Sequence, residues 1–124
     1  MTLFDNGNTR ISPPPKGLGS NCGPADCNSR GMVLDVNEVN MEATPLLSAD
    51  LGVYCVALGS AQLLSDGNYF FAPGQYISHG GPYSFAIEIL PTPGTIVGTQ
   101  VLNLQGTKRY RAWQMLSMYA PPAT

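Results

Sequence analysis

The stretch that decides the fold is PYSFAIEIL, residues 82–90. Large apolar side chains occupy every second position of this stretch: Tyr83, Phe85, Ile87 and Ile89. The intervening residues are small or polar: Ser84, Ala86 and Glu88. A period of two is typical of an antiparallel strand that buries one face and leaves the other in water. The stretch therefore predicts a half-buried β-strand.

Further strands are predicted on both sides of it. Residues 61–72, AQLLSDGNYFFA, indicate a hairpin because Asp66-Gly67 supplies the positive φ of a tight turn between two apolar runs. Residues 51–59, LGVYCVALG, are apolar on both faces, as in a central or sandwiched strand. After the break PTPG, residues 95–105 are predicted to resume as a strand.

The remaining segments give weaker predictions. Residues 32–36 and 38–42 are candidate strands, or one bent strand, and TPLL at 44–47 is predicted to be a turn or a short edge. Residues 107–120 fit a strand or a helix, and the all-β setting favours the strand because local propensity yields to context.

The composition agrees with this pattern. The chain has 124 residues, enough for one modest core, and its 14 glycines and 11 prolines exclude a helical bundle. We predict an all-β fold, an antiparallel β-sandwich or small barrel of about six to eight strands, with an extended Pro/Gly-rich N-terminal arm. The arm is assigned to residues 1–31 and the compact β domain to 32–124.

The arm has no periodic pattern and few large apolar residues, so it cannot bury a core of its own. SPPPKG at 12–17 favours an extended, polyproline-like conformation. We expect the arm to lie along a surface of this chain or of a partner. Its candidate contact residues are Leu3, Phe4, Ile11, Pro13, Pro14, Pro15 and Leu18.

The charge content argues against several classes of function. Charged residues make up only 11% of the chain, against roughly 25% in an average soluble domain. Such a surface suits a protein that is covered by partners. The net charge of −2 argues against a nucleic-acid binder, although one basic cluster, TKRYR, occurs at 107–111. No stretch has the length of a membrane-spanning helix, and residues 1–10 do not read as a secretory signal, so we expect synthesis in the cytoplasm and no membrane partner.

The cysteines of SNCGPADCNSRG, residues 20–31, do not predict chemistry. NCGPA at 21–25 is similar to the nucleophile region of papain-like peptidases of the bacteriocin-processing type, but the residues that follow cannot form the helix those enzymes place there. Cys22 and Cys27 have a spacing found in zinc sites, yet the chain has no second pair to complete one, even with Cys55 and His79. A Cys22–Cys27 disulfide is sterically feasible, and Cys55 is expected to be a buried hydrophobe.

No other residues form a catalytic, cofactor or metal motif. The acidic residues form no paired motif, and no glycine-rich stretch precedes a helix as a phosphate loop would require. We therefore predict that the protein is not an enzyme, with no catalytic residue, cofactor or metal.

The layout resembles the small decoration, or cement, proteins of tailed-bacteriophage capsids. The resemblance is carried by the extended arm and by a compact β domain with turn segments such as TPLL at 44–47 and APG at 72–74. It implies a structural virion protein that is made in the host cytoplasm and stabilises the shell. It also implies a homo-oligomer, a trimer by analogy, whose arm reaches onto the major capsid protein, another virion protein or a neighbouring subunit.

Two alternatives stay open at this point. One is another minor coat or tail component of a virion. The other is a ligand- or carbohydrate-binding β-module that recognises a receptor, for which the aromatic cluster at 69–71 and the Asn/Gly-rich turns are the support.

Overall fold

The computed structural model of the chain describes residues 1–7, 28–78, 81–92 and 95–115. These residues contain seven β-strands: β1 (Thr2–Asp5), β2 (Arg30–Asn37), β3 (Glu42–Asp50), β4 (Cys55–Leu63), β5 (Tyr69–Ser78), β6 (Gly81–Thr92) and β7 (Thr95–Gln105). They form two antiparallel sheets, β1-β2-β3 and β4-β5-β6-β7. The predicted all-β, antiparallel fold is confirmed. Within the described ranges no helix could cross a membrane.

The β4–β5 hairpin forms where the sequence predicted it. Gly67 has φ of +90°, a left-handed conformation that glycine adopts without strain. The side chain of Asp66 accepts a hydrogen bond from the Asn68 amide at 3.0 Å, and the Leu64 amide donates to the Asn68 carbonyl at 2.8 Å. The turn therefore fixes the register of the two strands.

The main core lies between the two sheets. Phe71 of β5 and Ile89 of β6 are fully buried against Ala49 and Leu51 from the end of β3. Gly31 of β2 lies directly over the Phe71 ring, because a Cβ atom at this position would come within 2.5 Å of two ring carbons. The absence of a side chain at Gly31 lets the sheets approach.

The opposite face of the second sheet is also buried, which corrects the prediction of a wet face on β6. Ser84 and Ala86 have no exposed surface. They share this face with Phe70 and Ala72 of β5, and the segment that follows β7 covers them. Small and polar residues looked solvent-exposed in the sequence because they alternate with bulky ones, but here they make room for a covering backbone.

Other elements differ from the prediction in detail. Residues 38–41 form the β2–β3 turn rather than a strand, and 44–47 belong to β3, an edge strand of the first sheet, which agrees with the edge alternative and not with the turn. The apolar run 51–59 enters β4, which is an edge strand and not a central one. Residues 107–115 are neither helix nor strand, and residues 116–124 lie outside the described part.

Residues 1–7 belong to the β fold, which differs from the expectation of an arm that begins at residue 1. Leu3 and Phe4 lie in β1, and Phe4 packs against the main core. Asp5 pairs with Arg30, so the chain leaves β1 and returns to β2 at the same place, and residues 8–27 connect two neighbouring strands. The other predicted arm residues and both candidate disulfide cysteines lie outside the described residues: Ile11, Pro13, Pro14, Pro15, Leu18, Cys22 and Cys27.

Candidate interaction surfaces

The end of the β2–β3 hairpin projects from the first sheet. β1 accompanies β2 only as far as Leu34, whose backbone exchanges hydrogen bonds with Met1 at 2.6 and 2.7 Å. Beyond that point β2 and β3 form a two-stranded ribbon over residues 35–46, here called the finger, and every residue in it is exposed. At the usual rise per residue the finger extends about 15 Å. A two-stranded ribbon with no sheet to pack on has little stability of its own.

The tip of the finger is held in one shape by a side chain. The Asn37 Oδ1 atom accepts hydrogen bonds from the amides of Val39 and Asn40 at 3.0 and 3.1 Å. Met41 closes the turn with φ of +56°, a left-handed conformation that is unfavourable for a residue with a side chain. Val39 and Met41 are 91% and 88% exposed, so a preorganised turn presents two apolar side chains to solvent.

The two faces of the finger differ in character. Cross-strand pairing puts Val36 opposite Ala43, and alternation along the strands puts Pro45 on the same apolar face. The other face carries Asp35 and Glu42. Glu38 adds a third carboxylate at the tip, and the finger contains no basic residue. The finger is therefore an apolar and acidic surface.

A second exposed surface is made by residues 107–115, here called the strap, which cross the outer face of the second sheet. The Ser60 hydroxyl donates to the Ala112 carbonyl at 2.8 Å and accepts from the Ala112 amide at 3.1 Å. Two residues along, the Gln62 side chain forms the same pair of bonds with Gln114 at 3.0 and 2.9 Å. Side chains of β4 thus bind the strap backbone at every second residue, as a neighbouring strand's backbone would.

Close approach of the strap requires small residues beneath it. Gly74 of β5 accepts a hydrogen bond from the Arg109 amide at 2.9 Å, and a Cβ atom at Gly74 would collide with the Arg109 carbonyl. Ala112 packs on the cluster of Phe70, Ala72 and Ala86. The strap therefore closes a small second core.

The Arg109 side chain turns inward, unlike its basic neighbours. Its Nε atom donates to the Ser84 hydroxyl at 3.0 Å, while a terminal guanidinium nitrogen, Nη2, is buried and has no hydrogen-bond acceptor among the residues that the structure describes. Burial lowers the pKa of this guanidinium below its ordinary value, although an arginine stays protonated at neutral pH. Arg109 thus joins the strap to β6 from below.

The outer side of the strap is basic and aromatic. Lys108 and Arg111 are exposed, and the Arg111 guanidinium lies over the Tyr110 ring, 4.9 Å from its centroid. Tyr110 and Trp113 are 67% and 55% exposed. These large side chains are held in place by the backbone bonds of the strap and not by contacts of their own with a core.

The free edge of the second sheet is a third apolar surface. Among the described residues only β6 pairs with β7, and β7 contains no charged residue and no proline. Its residues Val97, Val101 and Leu102 are exposed. Edge strands without charge, proline or cover are prone to pair with other chains.

The described residues do not assemble a chemical site. No group of three or more His, Cys, Asp or Glu side chains among them could hold a metal ion. Cys55 is fully buried, and burial raises the pKa of its thiol, so it is a poor nucleophile at neutral pH. Its Sγ atom instead donates to the Ala57 carbonyl at 3.1 Å, beside a bulge in β4. His79 lies outside the described residues.

The aromatic cluster at 69–71 serves as core. Phe71 faces the first sheet and Phe70 faces the strap, so the chain itself covers both of these rings, one on each face of the second sheet. Tyr76 and Tyr83 stack at 5.4 Å and remain half-buried.

Sequence reasoning missed the finger and found only half of the strap. It noted the basic cluster at 107–111 but not that Tyr110 and Trp113 would be presented beside it. The signal for the finger was available: residues 35–46 combine three acidic residues with four exposed large apolar ones, Val36, Val39, Met41 and Leu46, in a strand-turn-strand context.

No protein-family model, no curated protein and no solved structure matches this chain.

Proposed function

We propose that this protein is a structural assembly protein, a virion component of the capsid-decoration type that binds and stabilises a shell. The observation that carries the proposal is the finger, a projecting ribbon that exposes Val36, Val39, Met41 and Leu46 to solvent. Large exposed apolar patches on soluble proteins usually mark sites of interaction with a partner.

The low charge content supports the same role. With 11% charged residues the chain has few means of keeping copies of itself or other proteins apart. The uncharged β7 edge and the aromatic strap add two further surfaces that suit permanent contact. The resemblance of layout to decoration proteins gives the specific form of the proposal, in which the partner is the major capsid protein or another virion protein.

Purification of virus particles from the source culture tests this role. Particles would be banded on a density gradient, washed in 0.5 M salt, and their proteins quantified by mass spectrometry. The proposal expects this chain in many copies per particle, and treatment of intact particles with protease should digest it before the shell protein. Absence of the chain from the banded particles would refute the virion role.

A further inference from the structure

We propose that copies of this chain assemble head to tail, with the finger of one copy seated on the strap of the next. The inference deepens the proposed function by naming a second copy of the chain as the partner of both surfaces. It rests on the proposed assembly role for its biological purpose, but its physical basis is separate.

The first argument is charge. The finger carries three carboxylates and no cation, and the exposed side of the strap carries two cations, Lys108 and Arg111, and no acid. None of the finger carboxylates Asp35, Glu38 and Glu42, nor the strap cations Lys108 and Arg111, forms an ion pair within the described part of the chain. Complementary charges steer association and fix its register, and both sets are exposed and available.

The second argument is apolar surface. The finger presents Val39 and Met41 at its tip, and the strap presents Tyr110, Trp113 and Met115. Aromatic and methionine side chains next to arginine are the residues enriched at the centres of protein interfaces. Both surfaces therefore have an apolar centre, and the charges around the two centres are of opposite sign.

The third argument is the conformation of Met41. Met41 combines a positive φ, which is unfavourable for a residue with a side chain, with 88% exposure, so packing of its side chain within the chain does little to offset the backbone strain. Strain of this kind persists where the side chain is used. Contact of the thioether with an aromatic ring of the strap would use it.

The arrangement requires two molecules. The strap lies on the face of the second sheet that points away from the first sheet, and the finger extends from the first sheet. Within one chain all residues of the finger are exposed, and among the described residues neither core cluster joins the finger to the strap. Because the two surfaces differ, the contact is heterologous, and a closed set of copies, such as the trimer suggested by the resemblance, leaves no finger or strap unpaired.

Charge exchange tests the contact. The finger variant E38K/E42K and the strap variant K108E/R111E each place like charges together, and the variant with all four changes restores complementarity and the net charge of the wild type. Sedimentation velocity and light scattering from about 1 to 100 μM would follow the full-length chain, with circular dichroism to confirm that each variant is folded. Trp113 is the only tryptophan and lies on the strap, so its emission should shift to shorter wavelength as copies associate.

We expect a wild-type oligomer whose dissociation constant rises at least tenfold in each double variant and returns to within about threefold in the quadruple variant. The variant M41D, which keeps both charge sets and places a carboxylate in the apolar centre, should also dissociate. The control S65D adds the same charge at an exposed position of the β4–β5 turn, outside the residues of the finger and of the strap, and should associate as the wild type does.

Three results would overturn the inference: a wild-type chain that is monomeric at 100 μM, double variants that associate as the wild type does, or a quadruple variant that stays dissociated. A chain that is monomeric in solution but abundant on banded particles would overturn the head-to-tail contact and leave the assembly role standing. If association recovers in the quadruple variant but the chain is absent from banded particles, the head-to-tail contact stands and the virion role is refuted.

Discussion

Ser60 is the residue on which the position of the strap most depends. Its hydroxyl is 7% exposed and forms two hydrogen bonds with the backbone of Ala112, one as donor at 2.8 Å and one as acceptor at 3.1 Å. The substitution Ser60→Ala removes one oxygen and leaves the shape of β4 unchanged. Both Ala112 groups then lose their partner in a place where water has little access.

The expected effect follows from the usual net value of a buried hydrogen bond. Each bond contributes about 1 kcal/mol, so Ser60→Ala should weaken the attachment of the strap by about 2 kcal/mol. A change of about 2 kcal/mol corresponds to a roughly 25-fold change in the opening equilibrium. The Ala112 amide should therefore exchange its hydrogen with solvent roughly 25 times faster than in the wild type.

Amide exchange followed by NMR measures this directly, and quenching of Trp113 emission by acrylamide gives a second signal from the strap.

Two matched variants serve as controls. Gln62→Ala removes the same pair of bonds at Gln114, but solvent reaches that site and can replace them, so the effect should be about fivefold or less. Ser65→Ala removes an exposed hydroxyl from the β4–β5 turn and should change nothing. An Ala112 amide that exchanges equally fast in Ser60→Ala and in the wild type would refute the reasoning.

Three further predictions concern the core, the finger and the buried thiol. Gly31→Ala should lower the free energy of unfolding in a urea titration by about 2–3 kcal/mol because the added methyl meets the Phe71 ring. Gly98→Ala is the control: its methyl would meet the flexible end of the Ile87 side chain, so it should lower the free energy of unfolding by less than about 1 kcal/mol. Equal losses in the two variants would contradict the prediction. Met41→Gly should stabilise the dissociated chain by about 0.5–1 kcal/mol by relieving a left-handed residue, while weakening association; a loss of stability in the same urea titration would contradict the strain. Burial raises the pKa of the Cys55 thiol in the folded state, so the contribution of this thiol to stability is complete below about pH 8.5 and falls by about 1.4 kcal/mol per pH unit as the pH rises toward the folded pKa. The free energy of unfolding of Cys55→Ala should lack this part of the pH dependence. Parallel pH profiles of the two proteins would contradict the prediction.

The sequence predicted those parts of the fold that depend on neighbouring residues. Asp66-Gly67 set the β4–β5 turn, and the period of two along residues 82–90 identified β6, because both signals act over a few residues. The pairing of β1 with β2 joins residues separated by more than twenty positions, and no local pattern indicates it. The Pro/Gly-rich segment between them therefore looked like part of a terminal arm, although Thr2–Asp5 before it form a strand of the first sheet.

The outer face of the second sheet was misread for a different reason. The alternation of polar and apolar residues along a strand shows which residues share a face, but it does not show what covers that face. Ser84, Ala86 and Ser60 are as compatible with water as with a backbone lying across them. The signal that distinguishes the two cases is size: Ser60, Ala72, Gly74, Ser84 and Ala86 are small residues on three neighbouring strands, and they leave room for the backbone of the strap.

The strap connects the two levels of this proposal, the fold of one chain and the contact between chains. Only a closed strap presents Tyr110 and Trp113 in the geometry that the finger would meet, so the apparent affinity equals the intrinsic affinity multiplied by the closed fraction. If the wild-type strap is closed by much more than the roughly 2 kcal/mol that Ser60→Ala removes, that variant will associate normally while its Ala112 amide exchanges faster. If the margin is smaller, association will weaken in proportion to the closed fraction. Since only the closed strap binds in this scheme, association must also slow exchange of the Ala112 amide in the wild type, which ties the strap to the contact in a single measurement.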